Sequence, residues 1–228
     1  MYPVTNQIRL GAICWLLTVE FFVAQFLAQA AWPGYAMAAE DISLLGVISC
    51  GTYVNPAPGG IMPVCSPLSL LFNIGMALNG LLVVLGVWFT RDLWPQTRLK
   101  LVALWLLALG GDGTMLAGIF PLDANPGLHL IGAVLALGLS CFGFIALARV
   151  VWHSHRSFAL YSLATGVLAL AGFVLYAAEI YLGGRGTVER LAAWPQTLWY
   201  MVTGALILRG HFAGLVKNHL APATSAAR

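Results

Sequence analysis

Charged residues are scarce in this sequence: its 228 residues include 11 lysines and arginines and 8 aspartates and glutamates, together 8% of the chain. A soluble domain carries roughly 25% charged residues, so this few could not cover a water-soluble body of the same length. No basic run has the density of a nucleic-acid-binding segment, and we expect no nucleic-acid partner. The period-2 alternation that is typical of a membrane β-barrel is also absent.

Apolar residues make up 60% of the chain and fall into long blocks separated by short polar pieces. Blocks of about 20 apolar residues predict membrane-spanning helices, because a bilayer offers backbone groups no partners outside helices and closed barrels. We therefore predict an all-α polytopic membrane protein: one six-helix transmembrane domain, residues 1–216, and a short cytoplasmic tail, residues 217–228. The predicted spans are about 8–30, 68–90, 101–120, 128–151, 158–182 and 193–208.

The distribution of basic residues predicts the orientation of this bundle. Six spans place both termini on one side, and cytoplasmic loops carry an excess of lysine and arginine. With the N-terminus inside, only Arg185 and Arg190 fall outside, in a protein with a long first external loop. The inside set is Arg9, Arg91, Arg98, Lys100, Arg149, Arg156, Arg209, Lys217 and Arg228. We predict a bacterial inner-membrane protein with both termini cytoplasmic.

Acidic residues show the opposite distribution, because seven of the eight fall in the outer half of the predicted bundle. Ionisable groups at membrane depth are costly and commonly functional. We therefore predict that polar side chains from several spans converge in the outer half to bind a ligand. The predicted ligand-binding residues are Glu20, Asn73, Asp112, Asp123, His129, Glu179, Glu189 and Arg190.

Asp112 stands between Gly111 and Gly113 in the third span. Glycines let helices approach closely, so this segment is predicted to pack tightly and to turn Asp112 toward the bundle interior. The carboxylate could accept a proton, bind a cation or contact a lipid headgroup. It could equally be a buried group hydrogen-bonded to Asn79, Thr114 or Asn73.

Asp123 and His129 flank a Pro-Gly turn before the fourth span, and with Asp112 they are the candidate catalytic residues. The histidine could act as a general base or metal ligand, or the two could simply cap a helix and lie at the interface. No zinc-ligand spacing is present, so we predict no resident metal, and the sequence leaves any cofactor unknown. Ser43 could form a hydrolase triad with His129 and Asp112, but it lacks a nucleophile-elbow motif. Whether the protein is an enzyme stays open.

The four cysteines divide into two groups. Cys50 and Cys65 lie in the predicted external loop, on the oxidising side of a plasma membrane, where a disulfide between them can form. Cys14 and Cys141 lie within spans and are predicted to be buried packing residues. We therefore predict one disulfide bond, which closes part of the first external loop.

Two local patterns predict further helical structure. The tetrapeptide Trp-Pro-Gln-Thr occurs at residues 94–97 and again at residues 194–197. Proline suits the first turn of a helix and tryptophan the membrane interface, so both copies are interpreted as helix starts. Apolar residues at helical spacing also predict a short interfacial helix over residues 38–48.

Several short pieces, taken in their order and spacing, resemble a bacterial membrane family of unknown function, the domain-of-unknown-function 998 (DUF998) group. The pieces are Ile42–Gly46, Leu71–Gly75, Gly118–Pro121 continuing through Asp123 to His129, and Gly186–Arg190. The third piece is more distantly similar to eukaryotic Frag1-type membrane proteins linked with lipid remodelling. The DUF998 resemblance implies a six-span bundle with an external polar cluster and no established activity.

The predicted cluster lies at the depth where lipid headgroups meet acyl chains, with no polar path through the membrane. We therefore predict lipid binding or lipid-headgroup handling, with membrane lipids as the partners. One alternative is a structural or accessory subunit that binds a partner membrane subunit or forms a homo-oligomer, which the tryptophans near span ends favour. The other is a small proton-coupled transporter, which would need polar groups at mid-membrane.

Overall fold

The computed structural model describes residues 5–54 and 61–212 of the chain. In this part of the chain nearly all regular structure is helical, and a two-stranded hairpin lies between α2 and α3. The elements are α1 (Asn6–Leu17), α2 (Val19–Ala31), β1 (Gly51–Val54), β2 (Ile61–Val64), α3 (Ser69–Thr90), α4 (Arg98–Ile119), α5 (Pro126–Ala133), α6 (Ser140–Val151), α7 (Arg156–Ala177) and α8 (Arg185–Leu208).

Six helical passes form a closed ring in which neighbours in sequence are neighbours in space. α1 packs against both α3 and α8, and the ring continues from α3 through α4, α6 and α7 to α8. α1 and α2 form one pass, because only Thr18 separates them; its hydroxyl donates to the carbonyl of Trp15 at 2.7 Å. α5 and α6 form another pass, joined by a π-helical turn over Val134–Leu139.

Because the passes alternate in direction, their connections meet at two opposite ends. The connections at one end, which we call the loop end, are residues 32–68, 120–125 and 178–184. Residues 91–97, 152–155 and 209–212 lie at the other end, which we call the basic end. The beginning of α1 and the end of α8 both lie at the basic end.

Five of these passes are long and apolar enough to cross a membrane. They are Asn6–Ala31, Ser69–Thr90, Arg98–Ile119, Pro126–Val151 and Arg156–Ala177. α8 has a comparable length of 24 residues, but Arg185, Glu189 and Arg190 in its first two turns make it less apolar. The protein is therefore a multi-pass helical membrane protein, as its apolar blocks predict.

The interior near the basic end is filled with aromatic side chains. Trp15, Trp199 and Phe144 are each 0% exposed, and the ring centroids of the first pair lie 5.5 Å apart. Both indoles are hydrogen-bonded: Trp15 donates to the carbonyl of Val83 at 3.3 Å, and Trp199 donates to the hydroxyl of Ser162 at 2.9 Å. This packed layer closes the interior of the ring toward the basic end.

The two Trp-Pro-Gln-Thr copies differ in structure. The first precedes α4, whose amide at Lys100 is capped by the Thr97 hydroxyl at 3.1 Å, so this prediction of a helix start is confirmed. The second lies inside α8, which begins at Arg185 instead of the predicted Ala193, and Pro195 is an interior helical residue. That prediction of a helix start is wrong, because the charged residues of the preceding turns bind the long loop and extend the helix.

The long connection at the loop end also differs from expectation. The predicted helix over residues 38–48 is only a 3-10 turn, Ser43–Gly46, followed by the antiparallel β1–β2 hairpin, in which Gly51 pairs with Val64. A disulfide joins Cys50 to Cys65 at the base of this hairpin, with their Cα atoms 4.3 Å apart, so the predicted bond is confirmed. The predicted tail, residues 217–228, lies outside the described residues.

Candidate functional site

A partly enclosed cavity of about 90 Å³ lies inside the ring, between the aromatic layer and the loop end. It extends along α8 from Glu189 to Tyr200, which is about 16 Å of helix at 1.5 Å per residue. A volume of this size accommodates several water molecules or one small polar group. Its polar lining residues are Ser43, Asn79, Thr114, His129, Glu189, Gln196, Thr197 and Tyr200.

The imidazole of His129 has one nitrogen fixed by the backbone. Nδ1 lies 3.2 Å from the carbonyl oxygen of Ala117 and 3.1 Å from that of Phe120. Carbonyl oxygens only accept hydrogen bonds, so Nδ1 carries the proton in the neutral ring. Nε2 is then left as an acceptor on a buried side chain that lines the cavity.

Two amide side chains lie deeper in the same cavity. The Gln196 amide is satisfied, since its Nε2 donates to the carbonyl of Ala192 at 2.8 Å and its Oε1 accepts from the hydroxyl of Ser140 at 2.6 Å. Asn79 is 5% exposed, and its buried Oδ1 has no hydrogen-bond partner within the described residues. Buried polar atoms are seldom left unpaired, so this oxygen indicates a missing hydrogen-bond donor.

Glu189 closes the cavity at the loop end and is buried, with 7% exposed. Its Oε2 accepts a hydrogen bond from the backbone amide of Ile42, immediately before the 3-10 turn. The carboxylate therefore binds the long connection onto α8, and Ser43 of that connection forms part of the cavity wall.

Arg190 holds the same connection from the next position along α8. Its Nη1 donates to the carbonyl oxygens of Met37 at 2.6 Å and Glu40 at 2.9 Å, and its Nη2 donates to the Tyr35 hydroxyl at 2.6 Å. The side chain is buried, with 5% exposed. Burial also raises the pKa of Tyr35, although the Arg190 charge opposes that rise.

Arg185 forms an ion pair inside the protein as well. Its Nε lies 2.6 Å from Oδ2 of Asp41, which also accepts a hydrogen bond from the Tyr176 hydroxyl at 2.8 Å. The two arginines at the start of α8 therefore fasten the connection between α2 and α3. Arg190, which was predicted to bind a ligand, therefore has its guanidinium group engaged within the protein.

Of the predicted ligand-binding residues, the structure brings only His129 and Glu189 to the cavity. Asn73 is instead structural: its amide donates to the carbonyl of Gly46 at 2.8 Å and holds the 3-10 turn against α3. Glu179 is exposed beyond the end of α7, in a left-handed conformation with φ of 57°. Glu20 is half-buried against α3 near Gly75, and its buried Oε1 is unpaired, but it does not line the cavity.

Asp123 anchors the segment that precedes the disulfide. Its carboxylate accepts hydrogen bonds from the amides of Ile48 and Ser49, at 3.1 and 2.9 Å, and from the Ser49 hydroxyl at 2.7 Å. Burial acts to raise the pKa of Asp123, but these hydrogen bonds outweigh burial and lower that pKa below its ordinary value. Asp123 is a loop clamp and does not line the cavity with His129.

The prediction that Asp112 faces the interior is wrong, because this residue is exposed on the outside of the ring. The flanking glycines occupy the inward faces: Gly111 packs against Gly80 of α3, and Gly113 packs against Gly132 of α5. Position 112 therefore points away from both neighbours. The triad considered from sequence fails, because Ser43 and His129 line the cavity without Asp112.

The family described as "Protein of unknown function (DUF998)" matches residues 16–206. This chain belongs to the DUF998 family. The matched region runs from α1 to α8 and contains every residue that lines the cavity. No curated protein and no solved structure matches the chain.

Several cavity residues of this DUF998 chain were not predicted as ligand-binding. Asn79 and Thr114 were considered only as partners of Asp112, and Tyr200 was not considered. Gln196 and Thr197 belong to the second Trp-Pro-Gln-Thr piece, so that polar pair inside an apolar stretch was the available signal. Within the described residues no three histidine, cysteine, aspartate or glutamate side chains gather to hold a metal ion.

Beside the cavity, the gap between α2 and α8 is covered by a thin, mainly aromatic seam, whose residues follow or precede Phe21 and Ala193 of the cavity lining. α1 packs closely along α8, but α2 contacts α8 only weakly. Trp194 covers this gap: its indole donates to Oε1 of Gln25 at 3.2 Å, and its ring packs against Phe22 and Phe26 at 5.7 and 6.1 Å. We call these four side chains the α2–α8 seam.

An apolar groove of about 540 Å³ lies on the outward side of α8, toward α7. Leu175 of α7, Leu191 and Leu198 of α8, and Met37 of the long connection line it. Trp194 belongs to both the groove and the seam. The seam and the groove therefore meet at one side chain near the loop end.

Proposed function

We propose that this protein binds a membrane lipid at its loop end, taking a headgroup that donates hydrogen bonds into the cavity. The observation that carries the proposal is the set of acceptors that line it. Among the described residues Asn79 Oδ1 has no partner, His129 Nε2 is an acceptor, and the Glu189 carboxylate closes one end. Such a lining favours a donor, and a primary ammonium group satisfies acceptors and carboxylate together.

A phosphate group fits this cavity poorly. No lysine or arginine is among the described residues that line it, and the Glu189 carboxylate at one end would repel a phosphate that has no cation to pair with. The amine of a phosphatidylethanolamine-type headgroup is therefore the better ligand, with its phosphate left near the seam. The basic residues favour placing the loop end on the non-cytoplasmic side of a bacterial inner membrane, so the lipid comes from the outer leaflet.

The α2–α8 seam supplies the route from the bilayer. A lipid that displaces the rings of Trp194 and Phe26 reaches the cavity sideways without crossing the loop end. Its acyl chain can then lie across Trp194 in the apolar groove, which has the volume and the lining that an aliphatic chain requires.

The closed interior of the ring argues against the transporter alternative. Three irregular features of the helices favour that alternative. The break at Thr18, the π-helical turn Val134–Leu139 and Pro195 interrupt three passes, and transporter sites commonly use such interrupted helices. However, the packed aromatic layer around Trp199 closes the interior toward the basic end. A headgroup site open to one leaflet needs no passage through that layer.

The test compares lipids that differ only in their N–H donors. Purified protein in mild detergent is incubated with equal amounts of phosphatidylethanolamine and phosphatidylcholine, and the retained lipid is measured by native mass spectrometry. We expect phosphatidylethanolamine to be retained preferentially, because a trimethylammonium group cannot donate a hydrogen bond. Equal retention of the two lipids would contradict the proposal.

A pair of tryptophan variants tests the route. Trp194→Ala opens the seam and removes part of the groove, so we expect faster lipid exchange and weaker retention. Trp88→Ala is the matched control, because Trp88 is 59% exposed at the basic-end half of α3 and touches neither feature. Identical lipid exchange in wild type and both variants would place the route elsewhere.

A further inference from the structure

Asp112 lies on the lipid-facing surface of α4 at a depth where a carboxyl group is unusual. It precedes Ile119, the last residue of α4, by seven positions, which is about 10 Å along the helix axis. Aspartate has too short a side chain to reach the membrane surface from that depth. Within the described residues it has no hydrogen-bond partner, and its backbone cannot rotate inward because Gly111 and Gly113 are packed against their neighbours.

A second polar group without a partner lies on the same stripe. Trp105 is 69% exposed, seven residues before Asp112, and its indole N–H has no acceptor in the described part of the chain. Tryptophan ordinarily lies at the membrane interface with that N–H satisfied, whereas Trp105 is about 10 Å from the basic end of α4. Two independent side chains on one helix face therefore lack polar partners at hydrocarbon depth.

The spacing of exposed residues along α4 is that of a helix-packing seam. Arg98, Trp105, Asp112 and Ile119 are all exposed and follow one another at intervals of seven residues. A seven-residue repeat keeps one stripe facing a partner helix along its whole length, in a left-handed crossing. Arg98 is the first residue of α4 and lies at the basic end, so Asp112 is the ionisable residue within the stripe, and such a residue sets the register of the pair.

We propose that α4 is the interface of a parallel homodimer in which Asp112 hydrogen-bonds to Asp112 of a second copy. Two copies insert in the same orientation, so a two-fold axis along the membrane normal places each α4 residue at the depth of its own counterpart. A carboxyl group at this depth is neutral or paired, because an isolated charge in hydrocarbon is too costly. The neutral acid has one donor and free acceptors, so it is complementary to itself.

The neutral acid is its own complement, so a second copy satisfies Asp112 by symmetry, whereas a different subunit would have to bring a matching group to the same depth. In the described residues every lysine and arginine lies near an end of the bundle, and none is at the depth of Asp112. A copy therefore supplies the carboxyl group that the acid pair needs, without requiring any residue that the chain lacks. This interface lies on α4, away from the α2–α8 seam, and is independent of the proposed lipid site.

Cysteine cross-linking in native membranes tests the interface. Ile119→Cys continues the stripe toward the loop end, and Val174→Cys on α7 is a matched control, since the two side chains are 55% and 54% exposed near the same end. The native thiols of Cys14 and Cys141 are buried, so they do not compete. On oxidation with copper phenanthroline, we expect a covalent dimer for Ile119→Cys and essentially none for Val174→Cys.

The hydrogen bond between the two Asp112 carboxyl groups is tested with two substitutions of Asp112. Self-association of each variant is measured by cross-linking in the Ile119→Cys background and by single-molecule photobleaching in liposomes. Asp112→Leu should weaken self-association by about tenfold while leaving thermal stability unchanged or higher, because it removes a polar group from lipid. Asp112→Asn keeps a donor and an acceptor and should retain most of the dimer. Equal cross-linking at the two cysteine sites, a dimer indifferent to Asp112→Leu, or a monomer at every protein-to-lipid ratio would overturn the proposal.

Discussion

Replacing Asn79 by leucine should make the protein more stable and at the same time unable to bind its ligand. Asn79 lines the cavity and is 5% exposed, and its buried Oδ1 has no hydrogen-bond partner in the described part of the chain. An unsatisfied buried polar group costs about 1–3 kcal/mol, and leucine has a similar branched shape with no polar atom to satisfy. The leucine side chain is larger, and the adjoining cavity gives it room. The ligand-free variant should therefore unfold at a higher temperature, by about 2–4 °C for each kcal/mol gained in a chain of this length.

The same change should remove the stabilisation that lipid provides. A ligand present at about one hundred times its dissociation constant stabilises a protein by about 2.7 kcal/mol. We expect added phosphatidylethanolamine to raise the unfolding temperature of the wild type and to leave that of Asn79→Leu nearly unchanged. Tryptophan fluorescence during heating in mild detergent, with and without the lipid, measures both effects in one experiment.

Thr203→Val is the matched control for this experiment. Thr203 is 0% exposed, its Oγ1 is likewise buried without a partner in the described residues, and it does not line the cavity. This variant should gain stability and keep the full lipid shift. The reasoning is refuted if Asn79→Leu is less stable than the wild type without lipid, or if it retains the same shift with lipid.

Two further predictions concern the loop end. The folded pKa of Asp123 is lowered, so its clamp is intact above the ordinary aspartate value near 3.8 and is lost as pH falls below that value. Hydrogen exchange at Ile48, corrected for its intrinsic pH dependence, should become less protected at low pH, and Asp123→Asn should abolish that dependence. Arg190→Gln should destabilise the protein by about 3 kcal/mol, because it strips charged donors from the buried carbonyl of Gly186 and from three partly buried oxygens of the long connection. The exposed Arg209→Gln should change stability little, and equal melting temperatures for both variants would contradict this account.

The helical passes could be predicted well because the bilayer imposes them. Length and apolarity alone locate five of them to within a few residues, and side chains such as Thr97 mark where a helix begins. The end of α7 was predicted less well. The apolar sequence continues to Leu182, but the chain leaves the helix at Ala177 and turns at Glu179.

For the candidate site, the sequence predicts how deep in the membrane each residue lies, but it does not predict which way the side chain faces. The position of a residue along a span sets its depth, whereas the face it occupies depends on which neighbours pack around that span. Asp112 shows the difference: its glycine neighbours predict close packing, and the packing exists, but it is the glycines that face α3 and α5. A step of one residue turns the side chain by about 100° around a helix, which is enough to move Asp112 from interior to lipid.

The long connection was the other obstacle, because sequence alone does not show where it folds back. Glu189 and Arg190 were expected to face a ligand, and Arg185 was expected only to lie on the external side. Instead they bind residues 35–42, so most of their polar capacity is used within the protein. Only Glu189 both binds the connection and reaches the cavity.

This double role of Glu189 couples the loop end to the cavity. Its carboxylate receives the Ile42 amide, and the adjacent Ser43 forms part of the wall that the ligand would touch. An ammonium group bound in the cavity would compete with that amide for the same carboxylate, so ligand binding and loop attachment share one group. Glu189→Gln keeps an acceptor for the amide but removes the negative charge. The variant should therefore hold the connection with wild-type hydrogen-exchange protection at Ile42 while losing its preference for phosphatidylethanolamine.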